Sequence, residues 1–76
     1  EVIIMISDYC RKYRISKGAT LIELTKGSQI KTLSAFEMGR SSNIKHLIPY
    51  IELSISLDDK DNFMDGLANS IRNNNG

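Results

Sequence analysis

Three glycines, Gly18, Gly27 and Gly39, cut the first half of this chain into segments with room for short helices and little else. Glycine loses the most conformational freedom inside a helix and is the usual residue at a left-handed helix end, so elements should stop at these positions. The apolar residues between them recur at three- and four-residue steps. Ile3, Ile6, Cys10 and Tyr13 make one face of a first helix ending near Arg14 to Lys17, ahead of Gly18. Thr20, with Glu23 three residues on, is a capping-box pattern that starts a second helix over Leu21 to about Lys26. Leu21 and either Leu24 or Ile22 face inward there, and Gly27-Ser28 breaks it. A third helix is expected from Ser28 or Gln29 to about Met38, phased by Ile30, Leu33 and Phe36 or Glu37, with Gly39 at its left-handed end.

Ser42 or Asn43 can cap a fourth helix carrying a stripe of Ile44, Leu47, Ile48 and Ile51. Pro49 lacks an N–H and clashes with the preceding turn, so this helix either starts shortly before it or kinks there. Ser56 with Asp59 resembles a further N-cap, followed by a last helix packed through Leu57, Phe63, Met64, Leu67 and Ile71. Gly66 weakens that helix by about 1 kcal/mol relative to Ala. A strand stays open at Val2 to Ile6, and at Ile51 to Leu57, where apolar and polar residues alternate. The expected fold is all-α, a compact bundle of about five short helices in one domain over residues 1–72, with 73–76 as a fraying tail.

Several function classes are disfavoured. The apolar run Val2 to Ile6 is far too short to span a bilayer, and neither a basic segment before it nor a small-residue cleavage site after it marks a signal peptide. Cys10 is the only cysteine, so it forms no internal disulfide; it reads as a buried thiol and fits a reducing cytoplasm. His46 has no second His or suitably spaced Cys for a metal site. Asp58, Asp59 and Asp61 lack the Gly and terminal Glu of a calcium loop. No Gly-rich phosphate loop, catalytic carboxylate pair or Cys-His constellation stands out, so the expectation is a non-enzyme without cofactor or metal. The charge distribution is more informative. Residues 1–50 carry eight Lys and Arg against four Asp and Glu, and residues 51–76 carry two against five. The basic part can meet a polyanion while the acidic part faces away.

The stretch Thr20 to Asn43, TLIELTKGSQIKTLSAFEMGRSSN, has a short helix, a Gly-containing turn and a helix of about ten residues. Two such helices can cross steeply, so that the second stands out and fits a major groove. Within it, Lys31-Thr32-Leu33-Ser34-Ala35-Phe36-Glu37-Met38-Gly39-Arg40 resembles the recognition helix and its end in the Cro/CI (phage repressor-like) helix-turn-helix family. The resemblance extends over roughly Ile6 to Leu57 and is most specific in this block. Lys26 and Ser28 stand where that family usually has apolar residues, and Pro49 is unusual for its fourth helix.

Side-chain chemistry divides the roles. Gln29, Ile30, Lys31, Ser34 and Ala35 lie off the Leu33 and Phe36 face. Gln can pair with adenine, Lys can donate to guanine O6 and N7, and Ala35 or Ile30 can touch a thymine methyl. The resemblance implies base contacts at these same positions. Arg40, Ser41, Ser42, Asn43 and Lys45 offer a guanidinium, hydroxyls, an amide, an ammonium and helix N-terminal N–H groups to backbone phosphates. The resemblance also implies that Thr20 approaches a phosphate and that Glu37 bonds within the fold, with Arg14 or Arg40 as its partner. The resulting expectation is a sequence-specific transcriptional regulator of phage or mobile-element type, a repressor in the bacterial cytoplasm. It would bind a palindromic double-stranded operator as a homodimer, with Phe63, Leu67 and Ile71 of the last helix as the candidate dimer surface and intramolecular core as the competing, favoured reading for Phe63 and Leu67. The alternative is a protein-interaction module or the N-terminal autorepressor domain of a phage inhibitor of a bacterial defence nuclease. Its protein partner would meet the acidic C-terminal segment.

Overall fold

The computed structural model describes residues 2–41 and 43–74. They form an all-α bundle: α1 (Val2–Ser16), α2 (Leu21–Thr25), α3 (Ile30–Glu37), a single 3-10 turn (Ile44–Leu47), α4 (Ile48–Ser56) and α5 (Lys60–Asn74), with no strand among the described residues. Both segments left open as strands are therefore helical, and α5 takes in Asn73 and Asn74, two residues beyond the expected helix end. Asn costs an α-helix only a few tenths of a kcal/mol more than an average residue, which a helix held by buried apolar contacts absorbs. Asn75 and Gly76 lie outside the described residues.

Helix ends fall where backbone chemistry permits. Gly18 takes φ +69°; its N–H donates to the Ile15 carbonyl and that of Ala19 to the Arg14 carbonyl, the paired bonds of a left-handed helix end. Gly39 closes α3 identically, with its N–H on Phe36 and that of Arg40 on Ala35. At the start of α2 the expected reciprocal cap is present: Glu23 N–H donates to Thr20 Oγ1 at 3.1 Å and Thr20 N–H to Glu23 Oε1 at 2.8 Å. Pro49 falls in the first turn of α4, where a missing N–H leaves no helical bond unmade, and the 3-10 turn before it is capped by Asn43.

Two starts differ from expectation. α3 begins at Ile30, not at Ser28 or Gln29, because Ser28 Oγ bonds back to the Thr25 carbonyl and Gln29 adopts a left-handed φ of 53°. Ser56 is not an N-cap but the last residue of α4, its hydroxyl donating to the Leu53 carbonyl. Asp58 then turns the corner into α5 with φ 54°, a left-handed helix end built on a residue other than glycine.

The core is assembled from Ile6, Cys10 and Tyr13 of α1, Leu33 and Phe36 of α3, Leu47, Tyr50 of α4, and Phe63 and Leu67 of α5. Tyr9, Tyr13 and Phe63 form an aromatic cluster, with the Tyr13 and Phe63 ring centres 4.6 Å apart. Tyr9 Oη donates to the Phe63 carbonyl at 2.9 Å. Gly66 makes room for that phenol, since a Cβ there would stand 2.2 Å from Tyr9 Oη.

Two expectations are corrected here. The fourth-helix stripe is rotated: Leu47, Tyr50 and Ser54 face inward while Ile44 and Ile48 stay exposed. The dimer face at Phe63, Leu67 and Ile71 is absent as such, because Phe63 and Leu67 are buried core and Ile71 packs against them. Among the described residues no helix is long and apolar enough to cross a membrane.

Candidate nucleic-acid interface

α3 is short, and its outward face is only as well defined as its inward anchorage. Leu33 and Phe36 bury apolar surface, and Glu37, one residue on, is 8% exposed. The Glu37 carboxylate accepts from Arg14 Nε at 2.7 Å, from Arg14 Nη2 at 3.0 Å and from the Tyr50 hydroxyl. Arg14 Nη1 donates to the Ala19 carbonyl at 3.0 Å. One buried carboxylate thus ties α3 to α1, α4 and the loop before α2. The bond to Glu37 holds the Arg14 guanidinium still further above its ordinary value, while burial and the carboxylate push the Tyr50 phenol up. Glu37 is fully engaged within the fold, and its partner is Arg14 rather than Arg40.

With that side fixed, Lys31 and Thr32 stand exposed on α3 and Met38 just after it, and Ser34 and Ala35 are half-buried. Gln29 is exposed ahead of the helix, whereas Ile30 is half-buried and lies on the Leu33 side. The outer face therefore centres on Lys31, Ala35 and Met38, flanked by Thr32 and Ser34. Thr32 and Met38 were not among the residues singled out from the sequence. At 3.6 residues per turn Met38 lies opposite the Leu33 and Phe36 direction, which is the signal that finds it, whereas Thr32 lies only about 70° from that direction and its exposure is decided by the packing.

A groove of about 550 Å³ runs beside the start of α3. Thr25, Ser28, Gln29 and Thr32 line one wall; Asn43, Lys45, His46 and Pro49 line the other. The groove joins one expected base-reading residue, Gln29, to two expected phosphate-binding ones, Asn43 and Lys45. Lys31, Arg40 and Thr20 lie outside it. Asn43 spends its side-chain oxygen Oδ1 on the Lys45 N–H, leaving its side-chain amide hydrogens to donate elsewhere. Ser41 Oγ contacts His46 Nδ1 at 3.2 Å, and His46 sits edge-on to Phe36. Thr20 Oγ1 is engaged as an acceptor in the α2 cap but keeps its own proton. Ser42 lies outside the described residues.

Among the described residues three bases make ion pairs, while Arg11 on α1 and Lys60 and Arg72 on α5 make none. On α1 and just after it, Lys12 pairs with Asp8 at 2.9 Å, Arg14 with Glu37, and Lys17 with Asp59 at 3.4 Å. Tyr13 also donates to Asp59, and together with Lys17 it holds that carboxyl below the ordinary range. Residues 24–49 carry Lys26, Lys31, Arg40 and Lys45, none of which makes an ion pair among the described residues. The single carboxylate of that segment is the buried Glu37. The segment that carries α3 thus presents cations and no exposed carboxylate, although Glu23 of α2 and Glu52 of α4 line a pocket with Lys26; Asp58, Asp61 and Asp65 put exposed carboxylates on α5 and the corner before it. Among the described residues no group of three metal-ligating side chains occurs. No protein-family model matches the chain, and no curated protein or solved structure matches it.

Proposed function

We propose that this chain is a sequence-specific double-stranded DNA-binding regulator of the Cro/CI type, a phage or mobile-element repressor acting in the bacterial cytoplasm. α3 enters the major groove, where Lys31 and Gln29 read base edges. Thr32 joins them as a candidate from the outer face. Arg40, Asn43 and Lys45 hold the backbone. The observation that carries this reading is the run from residue 24 to residue 49, whose four cations make no ion pair among the described residues and whose one carboxylate, Glu37, is buried. Such a surface suits a polyanion, and the anchored outward helix in its midst suits a groove.

The test is selection of bound sequences from a random duplex pool at two salt concentrations, using wild type, Lys31→Ala and Arg40→Ala. Wild type should enrich one motif. Lys31→Ala should relax one base position at a cost of about 1–3 kcal/mol. Arg40→Ala should weaken all sequences evenly and lower the salt slope by about one. Salt-sensitive binding without any motif would leave a non-specific electrostatic surface, and no binding at low salt would sink the proposal.

A second reading, a module that docks on a protein partner, draws on the other pole of the molecule. The carboxylates of Glu52, Asp58, Asp61 and Asp65 make no ion pair among the described residues and could meet a basic partner surface.

A further inference from the structure

The groove beside the start of α3 holds the chain's one histidine. His46 belongs to the 3-10 turn and is half-buried, and its ring is fixed on two sides. It stands edge-on to the buried Phe36, with ring centres 5.4 Å apart, and Nδ1 lies 3.2 Å from Ser41 Oγ. A hydroxyl both donates and accepts, so this contact holds whichever charge the ring carries. Nε2 makes no hydrogen bond among the described residues and is the nitrogen left for a ligand. Around the ring the groove offers donors. The Asn43 amide hydrogens and the Lys45 ammonium stand on the same wall, and Gln29 and Thr32 on the opposite one. Among the described residues Lys45 is the only other charged group lining the groove, and no carboxylate does. Charges on the neighbouring elements turn elsewhere. Glu23 and Lys26 of α2 and Glu52 of α4 line a separate pocket beyond Leu24 and Pro49, and Glu37 of α3 is held by Arg14 and Tyr50. An anion that enters the groove is therefore the group that favours an imidazolium there.

We infer that His46 couples DNA binding to protonation: a backbone phosphate seated in the groove accepts from Nε2, and the ring takes up one proton from solvent as DNA binds. The inference rests on the DNA-binding reading of this face and adds its regulation. In the neutral ring the Ser41 hydroxyl donates to Nδ1 and Nε2 carries the hydrogen. The added proton goes to Nδ1, which then donates to Ser41 Oγ. The phosphate then faces an imidazolium beside Lys45, and a charge-assisted hydrogen bond replaces a neutral donor. Bound phosphate strengthens the ring's hold on its proton. The gain in DNA affinity is therefore full at low pH and is lost as pH rises through the bound-state midpoint. A phosphate that lifts a histidine's midpoint by about one unit makes binding roughly fivefold tighter at pH 6 than at pH 8. The salt slope is steeper at the lower pH, because more phosphate charge is neutralised there.

Two measurements test it. With a single histidine in the chain, the Cε1–H NMR signal of His46 is assigned without ambiguity. Its titration midpoint in wild type should rise by about one unit when a short random-sequence duplex is added, and by much less with inorganic phosphate at the same phosphate concentration. An unmoved midpoint in the DNA-bound chain overturns the proposal, and an equal rise with inorganic phosphate assigns the groove to free phosphate instead. Fluorescence anisotropy then gives the affinity for the same duplex at pH 6 and pH 8, where wild type should differ roughly fivefold. His46→Gln should bind equally at both pH values, near the wild-type affinity at pH 8. A His46→Gln variant with the wild-type pH dependence overturns the proposal; if that variant does not fold, the wild-type NMR titration decides alone. Wild type that binds equally well at both pH values overturns this inference and leaves the DNA-binding reading standing. Wild type that binds at neither sinks that reading and this inference with it.

Discussion

Replacing Glu37 by alanine probes the joint that fixes the outward face of α3. The Glu37 side chain is 4% exposed and that of Arg14 16%, so both charges lie almost entirely out of water. The carboxylate accepts two bonds from Arg14 and one from Tyr50. Glu37→Ala leaves the guanidinium with the Ala19 carbonyl alone and leaves the buried Tyr50 hydroxyl with no acceptor. An orphaned buried hydroxyl costs about 1–3 kcal/mol, and breaking a buried ion pair from one side costs about 3–5 kcal/mol in all. A domain of this size has only a small margin of stability, commonly near the lower end of about 5–15 kcal/mol. Urea unfolding followed by far-ultraviolet circular dichroism should therefore show Glu37→Ala close to unfolded before denaturant is added. Tyr50→Phe keeps the ion pair and removes one donor, so it should lose about 1–2 kcal/mol. Arg14→Met combined with Glu37→Leu removes both charges and should recover the part of the loss that comes from the unpaired charge, leaving the orphaned Tyr50 hydroxyl's share of about 1–3 kcal/mol. Arg40→Ala should leave the midpoint unchanged. A loss below about 1 kcal/mol for Glu37→Ala, or a double variant as unstable as the single one, would refute the reasoning.

Three further outcomes are expected. Gly66→Ala would ordinarily stabilise a helix by about 1 kcal/mol, but here the new methyl meets Tyr9. It should destabilise the wild-type chain and stabilise the Tyr9→Ala chain; the same sign in both backgrounds would contradict the close approach. Asp58→Gly relieves a left-handed φ at an exposed position and should raise the thermal midpoint, with a gain of about 0.5 kcal/mol. A lowered midpoint would mean that the Asp58 side chain itself stabilises the corner. Burial pushes the Cys10 thiol up to about 12, so it stays protonated in the folded chain while the unfolded thiol ionises near its ordinary value of about 8.5. Its contribution is fully present below that ordinary value and is lost as pH rises above it, because the unfolded state then binds fewer protons. Under reducing conditions the urea midpoint should fall between neutral pH and pH about 9.5, and fall less in Cys10→Ala; equal falls would exclude the thiol.

Where local chemistry specifies a feature, the sequence alone was sufficient. The Thr20 and Glu23 cap, the left-handed ends at Gly18 and Gly39, and the pairing of Leu33 with Phe36 on one face all involve residues within a turn or two of each other. The start of α3 was less legible, because Ser28 bonds backward to Thr25 instead of capping forward. On α4 the isoleucines offered a more hydrophobic face than the one the fold uses. Tyr50 is the residue turned inward, where a carboxylate thirteen residues earlier accepts its hydroxyl's hydrogen bond. Gly66 read as a weak point in a helix, yet it is where another helix's tyrosine lies against the backbone. The candidate site divides in the same way. Its residue types and their placement on or beside one short helix could be listed from the sequence. The groove that joins Gln29 to Asn43 and Lys45 could not.

The sequence by itself thus determined five helices, their approximate ends and an excess of positive charge toward the first part of the chain. Caps, helix-stop residues and hydrophobic period act over a few residues, and composition needs no geometry. Only the tertiary structure decided that Arg14 rather than Arg40 meets Glu37, that Phe63 and Leu67 are core rather than dimer surface, and which lysines are left without a counter-charge. Those outcomes depend on contacts between residues such as 14 and 37, or 17 and 59, which are far apart in the chain and meet only when the helices pack.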